Sequence, residues 1–372
     1  MKDFLPILSI TGSDSTGGSG IQADIKTIYS LGGYAVTAIT AIIVQNSKSI
    51  LAFENIPSSL VLEQITTVYD EIRPKAVKIG LVRDAVTVKK ISQEIVRSSN
   101  IVVDAGFISS RGEKLVSDDV VKSFEEYIFP QAKILVLKIQ EAEMLSGDKI
   151  VSTSDMLSTA KKLLGYGAQS VLLQGGHSAD GIMTDVLVVE GNEDSPPFFT
   201  SPDTRGWNFH GVVGTLSSAA ATFLAKGCSI EQTAKNAHEY IRSLVAYSVV
   251  SDTDNIIRHF NHNVISDRNA EIYNNFMSLV AKYSSESREV NFYADNLNIT
   301  PRYLSQITRR ITCKSPKEII DGFIIKEIEQ TLLSTTLTIQ EVAYQFGFAT
   351  ETSFCKFFLR HKGVSAKEFR SR

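Results

Sequence analysis

Cysteine is scarce in this chain of 372 residues: Cys228, Cys313 and Cys355 lie far apart, with no paired spacing. That excludes a disulfide framework and a zinc-ligand set, and leaves reduced thiols as the expectation. Long apolar runs are missing as well, none reaching the roughly 18 residues of a membrane helix. Met1 to Pro6 has no basic stretch leading into an apolar core, so a cytoplasmic protein without a membrane partner is expected. Neither sign of charge dominates, with 38 Lys plus Arg against 41 Asp plus Glu and a net of −3. Taken whole, the chain lacks the positive footprint of a nucleic-acid binder. No cluster of His, Cys, Asp and Glu has metal-ligand spacing, and neither metal nor cofactor is expected. What is there is a globular composition, 43% hydrophobic and 21% charged, long enough for two domains with a core each.

From Leu5 to about Ala246, short apolar stretches alternate with segments of helical period. Pro6 to Thr11, Ala35 to Val44, Ala76 to Leu81, Ile101 to Asp104, Ile134 to Leu137 and Val171 to Leu173 read as strands. Leu60 to Glu71, Ala85 to Arg97 and Ser154 to Leu164 read as helices. Such alternation predicts an α/β domain, a mainly parallel sheet between helices, with ligands at the carboxyl ends of the strands. Residues 251–269 are polar, rich in Asp and Asn and without a clear period. They are read as a linker between a first domain, residues 1–250, and a second, residues 270–372, in which only helical patterns follow. The charge divides near the same place: residues 1–284 carry 25 Lys plus Arg against 31 Asp plus Glu, net −6, and residues 285–372 carry 13 against 10, net +3. The whole-chain figure conceals a basic domain behind an acidic one.

Residues 290–312 fit two helices joined by a tight turn. Ala294 is small where the helices would cross, and Asn298 can take the left-handed conformation of the turn. Thr300 then offers an N-cap and Pro301 a first helical residue. Leu304 and Ile307 face inward, which leaves Arg302, Ser305, Gln306 and Arg309 on the outer side. Residues 338–360 repeat the arrangement 49 positions later, with Ala343 in the place of Ala294 and Gly347 supplying the turn. There Thr350 caps, Phe354 and Phe357 or Phe358 anchor, and Thr352, Ser353 and Lys356 project outward. Between the two units, Pro316 to Leu333 reads as one helix of 18 residues, about 27 Å at 1.5 Å per residue. That roughly suits two recognition helices in successive major grooves, about 34 Å apart.

These units resemble the AraC-type DNA-binding domain, most specifically in FYADNLNITPRYLS, TIQEVAYQFGF and GVSAKEFR. The resemblance implies an all-α domain of seven helices whose two helix-turn-helix units meet double-stranded DNA. Its candidate DNA contacts are Arg302, Ser305, Gln306, Arg309, Thr350, Thr352, Ser353 and Lys356. A single outward residue such as Arg309 or Lys356 can meet phosphate as readily as a base.

In the first domain, the first strand runs into Gly12-Ser-Asp-Ser-Thr-Gly17-Gly18-Ser-Gly20 and then a helix. Glycines at such a turn let backbone approach a ligand, and a helix start favours anions. The loop is neither a Walker loop nor the GxGxxG fingerprint. Its company is more specific: SITGSDSTGGSGIQADIK at 9–26, ITAIIVQN at 39–46, VKIGLV at 77–82 and HGVVGTLSSAAATFLAKG at 210–227 occur in order. Together they closely resemble the hydroxymethylpyrimidine (phosphate) kinases of thiamine biosynthesis, over about residues 4–248. The resemblance implies a ribokinase-like fold, with Gly12, Asp24, Gln45, Leu81 and Gly106 as candidate ligand residues. Gln45 can both donate to and accept from a ring nitrogen and its amino group, and Asp24 can accept from a hydroxymethyl group.

The departures from that family fall on phosphoryl transfer. Its Gly-Thr-Gly-Cys, where glycine amides hold the phosphate and the Cys acts on the substrate hydroxyl, is here Gly211-Val212-Val213-Gly214. Glycine is neither base nor nucleophile. Two β-branched valines also disfavour positive φ, which puts the amide cradle in doubt. Thr-Pro-Asn-Leu-Pro-Glu, whose Asn helps to organise magnesium and phosphate, becomes Val136-Leu137-Lys138-Ile139-Gln140-Glu141. Lys138 could stand in for a cation. Asp-Pro-Val becomes Asp104-Ala105-Gly106, Lys-Gly-Gly-His becomes Gln174-Gly175-Gly176-His177, and the chain is two residues longer than usual between Thr204 and His210.

A pyrimidine pocket without a working phosphate site, tied to a DNA reader, suits a sensor. The expectation is therefore a ligand-responsive regulator of thiamine-related genes that is not an enzyme, paired as a homodimer because kinases of this family commonly pair. A bifunctional kinase and regulator, a sensor of a pyridoxal-type ring and a scaffold that binds nothing are the alternatives.

Overall fold

The computed structural model describes residues 4–46, 49–109, 112–177, 182–193, 196–202, 210–250, 267–284, 286–312, 314–335 and 337–370. The segment between Thr204 and His210, where extra length was expected, and Cys313 lie outside them; Cys228 and Cys355 are free thiols. No helix among the described residues is long and apolar enough to cross a membrane. The described residues divide into two compact units, the first reaching from residue 4 to 245 and the second made of 246–250 and 267–370.

The strands of the first unit are β1 (Pro6–Asp14), β2 (Tyr34–Gln45), β3 (Ile50–Asn55), β4 (Ala76–Ile79), β5 (Ile101–Val103), β6 (Ile134–Lys138), β7 (Ser170–His177), β8 (Ile182–Val189) and β9 (Phe198–Pro202). They form one sheet in the order β3-β2-β1-β4-β5-β6-β7-β8-β9. β2, β1, β4, β5, β6 and β7 run parallel, with β3 antiparallel at one edge and β8 and β9 at the other. The helices are α1 (Gly20–Ser30), α2 (Ser58–Glu71), α3 (Ala85–Ile95), α4 (Asp118–Ser123), α5 (Ile139–Ser146), α6 (Thr153–Leu163), α7 (Val212–Ala225) and α8 (Ile230–Val250).

Strand alternation divides the apolar residues between the two faces. Leu8, Ile10, Val77, Ile79, Leu135 and Leu137 join one large core with Val61 and Ile65 of α2 and Val88 and Ile91 of α3. Each fully buried side chain of this size is worth about 1.5–3 kcal/mol. The opposite face carries α1 and α7, which pack on each other and on the central strands. Small residues, Ser217 to Ala221, let α7 lie close to the sheet. The six expected strands are all present. β3, β8 and β9 were not read from the sequence: β3 and β9 are the two edges of the sheet, β3 is mostly exposed, and Asp185 interrupts the apolar run of β8.

The second unit is helical: α9 (Asp267–Tyr283), α10 (Val290–Asn296), α11 (Pro301–Thr312), α12 (Pro316–Ser334), α13 (Ile339–Gln345), α14 (Glu351–Lys362) and α15 (Ala366–Arg370). The expected linker needs correction. Residues 251–266 lie outside the described residues, and 267–269 already belong to α9, whose apolar face includes buried Tyr273, Phe276 and Val280. Asn298 adopts φ of 52° in the turn between α10 and α11, and Gly347 adopts 68° between α13 and α14. Capping boxes start α12 (Ser315 with Glu318) and α13 (Thr338 with Glu341). Arg288 ties the unit together: its guanidinium lies 4.4 Å from the ring centroids of both Phe348 and Phe357 and 3.4 Å from Asp321 of α12.

Candidate functional site

The carboxyl ends of the parallel strands open on a cavity of about 860 Å³. Its place follows from topology, because β1 lies where the strand order reverses and adjacent crossovers leave in opposite directions. Gly12, Gln45, Leu81 and Gly106 line the cavity, as a ligand role requires. Asp24 does not. It is fully buried on α1, and its carboxylate is engaged by Lys78 Nζ at 3.0 Å, Ser9 Oγ at 2.5 Å and Ser218 Oγ at 2.6 Å. The hydroxyls it accepts from are the chain's own, so direct contact with a ligand hydroxymethyl group is not supported.

Lys78, which the sequence reading passed over, does reach the cavity, although its side chain is only 2% exposed. The signal was available: β4 is four buried residues, three apolar and one lysine. Gly80 follows on the strand's exit, where a Cβ would fall 2.3 Å from Thr11 Oγ1 and 2.9 Å from Lys78 Nζ. No side chain fits there.

A second charged group lies at the ends of β5 and β6. Lys138 Nζ donates to Ile108 O and, at 3.1 Å, to Ser109 O, and stands 3.9 Å from the Glu141 carboxylate. Glu141 accepts from the backbone N–H of Ile108 at 3.2 Å and from that of Lys138 at 3.5 Å. Burial pushes Glu141 up from 4.5 to about 7, against the attraction of Lys138. Asp104 is also raised by burial, despite the positive charges of Lys78 and Lys138, and Ser217 Oγ donates to it at 3.4 Å.

The glycine-rich loop after β1 is organised from inside by Asp14, whose carboxylate accepts from Thr16 N and Ser19 N, each at 2.8 Å, and from Ser19 Oγ at 2.9 Å. Those amides serve the chain's own anion rather than a ligand phosphate. His210 Nε2 lies 2.9 Å from Asp14 Oδ2 and 3.1 Å from Gln45 Nε2. Burial pushes the Asp14 carboxyl up, but hydrogen bonds from His210, Gln45 and Thr16 outweigh it and hold the group well below the usual carboxylate range.

At α7 the expectation of a spoiled cradle is not met. Gly211 takes the left-handed conformation at φ of 94°, and Val212 and Val213 form an ordinary first helical turn. The valines never need positive φ. A Cβ on Gly211 would fall 1.8 Å from Gly18 O, so the glycine brings the two loops into contact. The first-turn amides of α7 therefore point toward the cavity that Gly211, Val212, Val213 and Gly214 line.

In the second unit, Leu304 and Ile307 of α11 and Phe354, Phe357 and Phe358 of α14 are buried. Arg302, Gln306, Arg309, Thr350, Thr352, Ser353 and Lys356 are exposed and Ser305 is half-buried. Thr350 Oγ1 accepts from Ser353 N at 3.2 Å, and Ser353 Oγ donates to Thr350 O at 2.7 Å. Arg310 and Arg360, not singled out from sequence, are exposed on the same two helices.

Two outcomes test the buried charges. Lys78→Met leaves Asp24 charged and unpaired, and should lower the unfolding free energy by about 3–5 kcal/mol. Adding Asp24→Leu should recover much of that loss in urea unfolding; no recovery would show that the pair is not coupled. For Glu141 the folded state holds its proton more tightly than the unfolded chain. Its contribution is full below about 4.5 and is lost as the pH rises through about 7. Stability should therefore fall more steeply with pH across that window in the native chain than in Glu141→Gln.

Comparison with known proteins gives two matches, the phosphomethylpyrimidine kinase family model over residues 14–256 and a helix-turn-helix domain model over residues 293–372. The chain is 34% identical over 243 residues to the thiamine biosynthesis bifunctional protein of Geobacter sulfurreducens, covering 64% of this chain and 49% of that protein, about half its length. The crystal structure of phosphomethylpyrimidine kinase from Clostridium difficile is similar at a TM-score of 0.57 and 34% identity, covering 65% of this chain and 99% of that one. An ADP complex of Bacillus subtilis pyridoxal kinase is similar at 0.60 and 29%, covering 65% and 92%. The first unit has their mostly parallel sheet between helices, and the second adds a helix-turn-helix domain, so the chain belongs to the phosphomethylpyrimidine kinase family.

Proposed function

We propose that this chain is a cytoplasmic, ligand-responsive transcriptional regulator whose kinase-like domain binds hydroxymethylpyrimidine or its phosphate and does not phosphorylate it. The observation that carries the reading is Gly214. It lacks the reactive side chain, and packing does not demand that: a Cβ there would lie 3.6 Å from Asp104 and 4.0 Å from Lys78, ordinary contact distances. Phosphoryl transfer rests on positioning and on charge stabilisation at the reacting oxygens. Without the family's reactive side chain at Gly214, a cavity that still presents Gln45, Gly12, Leu81 and Gly106 is left to bind. Two copies presenting two DNA-reading domains to repeated half-sites, near thiamine-related genes, complete the proposal. Ligand controls DNA binding only if it favours one arrangement of the chain over another.

The intact first turn of α7 favours a second reading, a kinase that also regulates. One assay separates the two. With ATP, magnesium and hydroxymethylpyrimidine, the chain should release no ADP above background, whereas calorimetry should detect binding that Gln45→Ala weakens about tenfold, the worth of one hydrogen bond. Pyrimidine-dependent ADP release would establish the kinase; tighter binding of pyridoxal would change the ligand.

On the DNA side, Arg309→Ala and Lys356→Ala should weaken binding to the chain's own upstream region. A residue that contacts phosphate should also lower the slope of log affinity against log salt by about one. Repeating the titration with and without the pyrimidine at fixed salt reads the coupling; unchanged affinity and slope in both variants would misplace the recognition helices.

A further inference from the structure

The phosphomethylpyrimidine kinase family implies a magnesium ion beside the phosphate, and the donors that could hold one are otherwise occupied here. Lys138 stands where the family has Asn. Its ammonium donates to Ile108 O and Ser109 O and faces the Glu141 carboxylate at 3.9 Å. Hard oxygen donors of the kind magnesium needs are thus turned toward a fixed positive charge. Among the described residues no group of three His, Cys, Asp or Glu side chains could hold a metal ion. With an ammonium seated among those oxygens, they do not fit a divalent metal.

We propose that the Lys138 ammonium is a tethered cation in the place of that metal, so that the cavity takes phosphate-bearing ligands without one. Lys138 is well placed for it. It is the N-cap residue of α5, its side chain is only 18% exposed, and it lines the cavity. Asp104 lies within its electrostatic reach and 3.6 Å from where a Cβ of Gly214 would be, so the ammonium and the first turn of α7 flank the same space. Lys78 also lines the cavity, with its charge paired to Asp24. A divalent ion entering there would meet the Lys138 ammonium, whereas an anionic phosphate would meet that ammonium and the first-turn amides of a 14-residue helix.

The inference rests on the cavity being a ligand site, and one calorimetric design separates the two. The full chain is titrated with hydroxymethylpyrimidine phosphate in chelator and again in magnesium. The affinities should agree within about twofold, Lys138→Asn should lose about tenfold in chelator, and Lys138→Arg, which keeps the charge, should lose clearly less. Thermal melts confirm that each variant folds. A tenfold gain for the native chain on adding magnesium, or an unchanged affinity of Lys138→Asn in chelator, would overturn the tethered cation while leaving the ligand site standing. No binding in either condition would overturn both.

Discussion

An ion pair with its partners 2% and 0% exposed, Lys78 with Asp24, sits beneath everything the first unit does. Taking either charge out of water is unfavourable, and the pair survives because its geometry is complete: two hydroxyls, from β1 and α7, satisfy the carboxylate alongside the ammonium. The same contacts fasten four elements, β1, β4, α1 and α7, at the point where the strand order reverses. The cavity mouth inherits its shape from that junction. Lys78 reaches the cavity with its ammonium 3.0 Å from the Asp24 carboxylate.

Above this junction, Gly211 sets the start of α7 and presses its loop against Gly18. Binding and turnover rest on different atoms of such a cavity. The first needs walls, amides and fixed charges, and the second needs one group with a suitable proton affinity in one place.

Much of this was legible in the sequence where the cause is local. Asn298 and Gly347 mark their turns because only certain residues take left-handed backbone readily, and the parallel strands stand out as short apolar runs. Asp24 was misread for the opposite reason: whether a carboxylate meets a ligand or a lysine depends on a strand 54 residues away, at Lys78. The valines after Gly211 misled because φ belongs to a single residue, and the glycine before them absorbs the unusual value. β3 and β9 escaped because edge strands need not bury both faces, and β8 because Asp185 breaks its apolar run.

The Arg288 clamp has a mechanical consequence for the second unit. A guanidinium stacked on Phe348 and Phe357 and paired with Asp321 joins the loop before the first helix-turn-helix to the second one and to the long helix between them. The two recognition helices then behave as the jaws of a fixed caliper rather than as beads on a string. Duplex DNA turns once in about 10 base pairs, so a caliper of fixed span measures phase as well as sequence. Two correct half-sites set half a turn out of step would face opposite sides of the duplex, and the domain could grip only one of them.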